Sequence, residues 1–195
     1  GMELTADINS FSGKMDGDAL YNTDVYNSRA GAFMYNTNQK IISSGLNSFT
    51  TIQSDFVYPL KGDGKIETGL RAQLRNNENT QGNYIKNGTS GEYMSIASSS
   101  SNYKNKDNVY AAYISITQNI KDFGYQIGLR QESSEYTGEL TDTKKKFTNN
   151  YPLNLFPSVF LSQKLKNDQQ VQFNYSRRVN RPFFMEIIPF IDSTD

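Results

Sequence analysis

The sequence contains no cysteine, no histidine and no tryptophan. Without cysteine there is no disulfide and no thiolate chemistry. Without histidine the commonest zinc ligand, the usual general base and every His-containing triad are missing. Neither sign of charge is in excess: lysine plus arginine is 20 and aspartate plus glutamate is 20. The chain therefore lacks the basic footprint of a nucleic-acid partner. No apolar run approaches the roughly 18 residues of a transmembrane helix. Hydrophobic residues make up only 36% and the mean hydropathy is −0.66, both low for a water-soluble domain that must bury one core.

What the chain does have is alternation. Val109–Gly138 reads as two strands joined by a turn at Lys121–Gly124. On the first, Tyr110, Ala112, Ile114, Ile116 and Ile120 share a parity. On the second, Tyr125, Ile127 and Leu129 oppose Gln126, Gly128, Arg130 and Glu132. A period of two argues for β-strand and against one apolar helix face. Each strand runs about 12 residues, beyond the roughly 5–6 of an ordinary strand. That length matches the roughly 9–11 residues needed to cross a bilayer at a tilt, plus ends.

The pattern recurs along the chain. Glu3–Phe11 alternates through Leu4, Ala6 and Ile8. Leu46–Leu60 sets Ile52, Phe56, Tyr58 and Leu60 on one side. Lys65–Asn76 sets Ile66, Leu70, Ala72 and Leu74 against Glu67, Gly69, Arg71, Gln73 and Arg75. Tyr151–Leu165 and Gln169–Arg178 complete the set, although Pro152 and Pro157 donate no ladder bond. Short turns are expected at 61–64, 121–124 and 166–168. The polar stretches 12–44, 77–106 and 139–150 read as long loops, with short strands inside them at Ala30–Tyr35 and Tyr93–Ala97. Short and long connections then alternate, which puts every short turn at one end of a meander. Outer-membrane barrels have that asymmetry, and low overall hydrophobicity is ordinary for them. The expected fold is all-β: an antiparallel up-and-down meander of about seven long strands, a partial outer-membrane β-barrel. The whole chain, 1–195, reads as a single barrel fragment, with Gly1 a tag remnant and remaining strands outside it.

Aromatic placement suits interfacial girdles: Phe56, Tyr58, Phe123 and Tyr125 near the short turns, and Tyr110, Tyr136 and Tyr151 near the far ends. By parity Arg71, Arg75, Arg130 and Arg178 face the polar side and are the candidate lumen or ligand residues. Arg177, Arg178 and Arg181 form the densest basic cluster, for which structural ion pairing at a strand end is the plainer reading, and lumen charges such as Arg71, Arg75 and Arg130 are common without a specific ligand. No catalytic residue, metal ligand or cofactor is expected. Asp16-Gly17-Asp18 lacks the later ligands of a calcium loop. Asn87-Gly88-Thr89 matches the glycosylation pattern but carries little weight on an outer-membrane reading.

Tyr175–Pro182, YSRRVNRP, carries a resemblance. It is similar to the strand end of TonB-dependent receptor-like outer-membrane barrels of Bacteroidetes type, where aromatics and an NPF-like element follow. Here Pro189-Phe190 follows, with isoleucine in place of asparagine. LFPSVFLSQKL at 155–165, VYAAYISI at 109–116, YQIGLRQE at 125–132 and DFVYPL at 55–60 extend the likeness through most of 46–190. The resemblance implies the barrel of a nutrient receptor or transporter, with an N-terminal plug domain that is expected to lie outside these residues. Its implied partners are outer-membrane lipid, a TonB-type energising complex and a surface lipoprotein; nucleic acid is not among them.

Two other classes compete. One is a soluble β-sandwich that binds carbohydrate or mediates adhesion. The other is a hydrolase using a carboxylate pair, against which the absence of histidine, cysteine and an acidic pair on one strand face argues. The apolar face of an isolated fragment would be a large exposed patch. Self-association, detergent binding, or inward curling with Arg71, Arg75 and Arg130 turned outward would each relieve it.

Overall fold

A computed structural model describes residues 1–179. They form one antiparallel sheet. Its strands are β1 (Glu3–Tyr26), β2 (Phe33–Pro59), β3 (Lys65–Lys86), β4 (Tyr93–Ser95), β5 (Ser101–Ile120), β6 (Phe123–Leu140), β7 (Lys145–Lys164) and β8 (Gln170–Ser176). Neighbours follow chain order, β1-β2-β3-β5-β6-β7-β8, with β4 on β3. This is the meander that the alternation predicts. With a single sheet and no second layer among the described residues, the β-sandwich reading falls. Arg181, Pro182 and Pro189-Phe190 lie outside the described residues.

The expected short turns are present. Lys121 and Asp122 bridge the paired Ile120 and Phe123. Leu60 N donates to Gly64 O at 2.8 Å, and Asn167 and Asp168 hold positive φ between β7 and β8. The expected long loops are absent. β1 and β2 stay paired from Glu3↔Val57 to Tyr26↔Phe33. β6 and β7 stay paired out to Leu140↔Lys145. Only 27–32, 87–92 and 141–144 turn the chain at that end. Ser, Asn, Asp and Gly are turn formers by composition. Here they sit in ladders, because an antiparallel pair needs only backbone donors and acceptors. Polar cross-strand contacts add to it. Ser10 and Thr50 hydroxyls lie 3.0 Å apart, Ser44 Oγ donates to Asp16 Oδ1 at 2.7 Å, and Asn36 Nδ2 donates to Asp24 Oδ1 at 2.6 Å.

Two of the far turns use one device. Asn27 Oδ1 accepts from Arg29 N and Ala30 N, and Gly31 takes φ +61. Asn87 Oδ1 accepts from Thr89 N and Ser90 N, and Gly91 takes φ +74. An asparagine side chain that mimics a backbone acceptor, followed by a glycine free to adopt the left-handed region, closes the hairpin. Beyond the second turn the returning strand breaks at 96–100. Ser99 and Ser100 hydroxyls donate to Ile96 O, and Ser100 Oγ accepts from Asn83 N at 3.0 Å. Serines that bond their own backbone compete with the ladder, which explains the interruption.

Pro152 and Pro157 fit because β8 pairs only with Ser158–Lys164 of β7. Above Ser158, β7 is an edge strand among the described residues, and an edge tolerates a missing N–H.

The two faces of the sheet differ in the sense opposite to a soluble protein. On the polar face Thr51, Asn105, Glu132 and Ser134 are buried, at 3–8% exposure. On the apolar face Leu70 is 65%, Ile127 52% and Ile114 48% exposed. A single sheet shelters one face only by curving around it, so the polar side is concave. The sheet does not curl inward over its apolar side chains. Keeping barrel curvature lets the lumen side chains hydrogen-bond one another.

Candidate functional site

Register fixes which residues meet on the concave face. Val57↔Glu67↔Ser115↔Gly128↔Ser158 is one row, and Gln53↔Arg71↔Ala111↔Glu132↔Asn154 another. Arg130 Nε donates to Glu132 Oε1 at 2.6 Å. Arg75 lies 3.9 Å from Asp107 and its guanidinium stacks over the Phe49 ring at 5.3 Å. Arg71 stands two residues up β3 from Gly69, opposite Gln53. Next to it Tyr113 Oη donates to Asp55 Oδ1, and Gln53 Nε2 donates to Asp55 Oδ2 at 2.6 Å. Arg71, Arg75 and Arg130 therefore share one concave surface with Asp55, Asp107 and Glu132. Three guanidiniums there face three carboxylates, with Arg75 and Arg130 ion-paired to Asp107 and Glu132.

Arg178 is not brought to this group. β8 ends at Ser176, and Arg178 is exposed beyond it. Its neighbour Arg177 instead reaches back over Phe156, 6.0 Å from the ring centroid. Phe156 is opposite Arg130 on the concave face. The acidic partners were legible by the same parity that picked out the arginines. Asp55, Glu67 and Glu132 all lie on the polar set.

Gly69 makes room for the Asp55–Tyr113 contact. A Cβ there would collide with the Asp55 carboxylate and the Tyr113 ring, and would lie 2.8 Å from the Ser54 carbonyl oxygen. Thr51 Oγ1, Arg71 Nε and Asn105 Oδ1 are buried with no protein hydrogen-bond partner. Buried polar atoms are normally satisfied, by water where protein groups do not reach. A wet lumen meets that need. No group of three His, Cys, Asp or Glu side chains able to hold a metal exists among the described residues.

The convex face divides by height. From Ile66 to Leu74 on β3 the outward residues are Ile66, Thr68, Leu70, Ala72 and Leu74. Nine residues at about 3.3 Å rise and a tilt of ~40° span roughly 23 Å, close to the apolar band of a barrel. Phe56, Tyr58, Phe123 and Tyr125 face outward at its lower edge, with the last two rings 6.3 Å apart. Tyr110 faces outward at its upper edge. Tyr136 and Tyr151 do not. Tyr136 pairs with Asp107 on the concave side, and a register shift between Glu132 and Ser134 turns Tyr151 there too. The upper girdle is thus sparser than expected.

Above the band the convex face is ionic. Glu78↔Lys104↔Glu139↔Lys146 is one cross-strand row of alternating charge. Lys104 lies 3.1 Å from Glu78, and Lys146 lies 3.3 Å from Glu139. Nearer the tip, hydrogen bonds from Ser44 and Lys14 hold the Asp16 carboxyl below its ordinary range. On the concave side at this height, burial pushes the Tyr103 phenol up.

No helix among the described residues is long and apolar enough to cross a membrane, which leaves crossing by strands untouched. No curated protein matches the chain. Among solved structures the chain is similar to the ferric citrate transporter FecA in its unliganded form, at 12% identity and a TM-score of 0.50. The match covers 89% of this chain and 26% of that one, and at this identity it speaks for the fold alone. The chain thus spans about a quarter of the length of that protein. The sequence pattern of the outer membrane protein beta-barrel family matches residues 1–195. An apolar convex band, a polar concave face and an antiparallel meander agree with that match, and the chain belongs to the outer membrane protein beta-barrel family of the bacterial outer membrane.

Proposed function

We propose that this chain is a section of the wall of an outer-membrane receptor or transporter that takes up a nutrient, with the solute path along its concave face. The reversal of burial carries the reading: polar Asn105 and Glu132 are sheltered while Leu70 and Ile127 are displayed. Such a face is stable against lipid and polar lumen contents, and unstable the other way round. On this reading further strands close the barrel, which is consistent with β1 and β8 not pairing with each other. Only closure removes free edges. A plug domain, a TonB-type energising complex and a surface lipoprotein complete the working receptor. The chain itself performs no catalysis.

Residues 1–195 contain no cysteine, so a cysteine introduced here is read against the labelling of the unaltered protein. In the full-length protein in membranes, Ser115→Cys is expected to react with a water-soluble maleimide. Ile114→Cys, on the opposite face, is expected to react only with a lipid-soluble reagent. Equal aqueous labelling of both would sink the wall reading. Uptake is tested separately, by growth of cells with and without the gene on limiting nutrients. No difference on any nutrient would refute transport and leave the barrel intact.

A further inference from the structure

The convex band is not uniformly filled. In two successive outward rows a small side chain faces a large one: Leu70↔Ala112 and Ala72↔Tyr110. The mismatch leaves a groove of about 500 Å³ on the convex face, with Gln131 and Ser133 at its β6 rim. That volume falls within the roughly 300–1,000 Å³ of small-molecule sites. Gln131 is opposite Ala112, and Ser133 is opposite Tyr110. On β6 the last outward apolar residue is Leu129, yet neighbouring β7 still presents Leu155 across from Gln131. The rim is a polar notch cut into an apolar band.

An amide or hydroxyl facing hydrocarbon without a partner costs free energy. The notch therefore calls for a hydrogen-bonding group, and the groove beside it calls for an apolar one. We propose that the groove seats one acyl chain of a membrane lipid, with the lipid's carbonyl or head-group oxygens held by Gln131 and Ser133. The seat is continuous with the lipid-facing band that family membership establishes, so hydrocarbon already surrounds it. Its Leu70–Ala112 end lies toward the middle of the band, and its Tyr110 end reaches the upper edge, where chains give way to head groups. The inference is independent of what the lumen carries.

Native mass spectrometry of the full-length protein, extracted in mild detergent and washed, tests this. Wild type is expected to retain a lipid, and so is Ile127→Phe, a control on the same face away from the groove. Ala112→Phe fills the groove and is expected to lower retention about tenfold or more. Gln131→Leu is expected to lower it less, by loss of the polar hold. Strand content by circular dichroism confirms folding, and Ala72→Leu replaces Ala112→Phe if that variant does not fold. Undiminished retention in the folded groove variant overturns the proposal, as does wild type that retains no lipid. A dimer that Ala112→Phe disperses, with lipid unchanged, would show that a second copy fills the groove and would equally overturn it.

Discussion

The membrane band and the extension above it are built from the same paired strands by different rules. In the band each strand offers an apolar row to lipid and a polar row to the lumen. In the extension neither row is consistently apolar: Phe11, Met15 and Tyr21 on the concave side and Leu20, Ile42 and Leu46 on the convex side stand among Ser, Asn, Asp and Lys, and the ladder nevertheless continues without a break from Ser10↔Thr50 to Thr23↔Thr37. The band is held by its surroundings, because lipid accepts its convex face. The extension is held from within, by backbone bonds and by ionic rows such as Glu78–Lys104–Glu139–Lys146. Hydrophobic alternation is thus a signature of the environment of a strand, and pairing is not.

Removing the membrane should expose the difference most. In detergent-free buffer the isolated chain is expected to self-associate through the band, as seen by light scattering, and to become monodisperse when detergent is added. A stable monomer in water would refute the contrast. Next in size is a charge at the middle of the band. Leu70→Arg is expected to destabilise the folded protein in micelles by about 2–4 kcal/mol, read by urea unfolding. Thr80→Arg, outward on the same strand but in the extension, should change it by less than about 0.5 kcal/mol. Comparable losses at both positions would erase the boundary between the two regions.

Glycines sharpen the comparison further. Gly69→Ala drives a Cβ to 2.8 Å from the Ser54 carbonyl and is expected to cost about 1–3 kcal/mol. Gly45→Ala in the extension meets its nearest atom, Asn79 Oδ1, at 3.5 Å, an ordinary contact. It is expected to be neutral or stabilising by a few tenths of a kcal/mol. Lys104→Glu places a like charge between Glu78 and Glu139 and should loosen the extension by about 0.5–1 kcal/mol, visible as faster amide exchange near 78, 104 and 139. High salt should shrink that effect. The smallest effect is acid titration of Asp16. Its folded pKa is lowered, so its contribution is present above 3.8 and is lost as pH falls through the lower folded value. Because the group is exposed, the change is expected only in amide exchange around Asp16 and Ser44, with the band unaffected.

The uneven legibility of the sequence follows from the same contrast. Ile66, Leu70 and Leu74 announce their face, so the band and its short turns were readable, as was the side on which Arg71, Arg75 and Arg130 stand. The extension carries no such contrast. Ser12, Ser48 and Asn76 lie in one outward row and look like loop residues. A local signal was available in the shared spacing of Asn27 and Gly31 with Asn87 and Gly91, which marks where two hairpins turn. The parity of Tyr151 was beyond any local reading. It is set by a register shift whose other half lies on β6. Arg178 was misplaced for a related reason: parity holds only while the strand does, and β8 stops at Ser176.

The unbroken pairing of the extension also governs how the protein meets digestive enzymes. A protease binds its substrate as an extended segment whose backbone groups are free to bond the enzyme. Slack loops of thirty residues would offer such segments everywhere. Here the backbone of the inner strands β2, β3, β5 and β6 is already committed to neighbours on both sides, and among the described residues cleavage is expected first at the short turns 27–32, 87–92 and 141–144 and the serine-rich break at 96–100. A wall that stands far above the membrane can in this way be large, polar and still hard to cut.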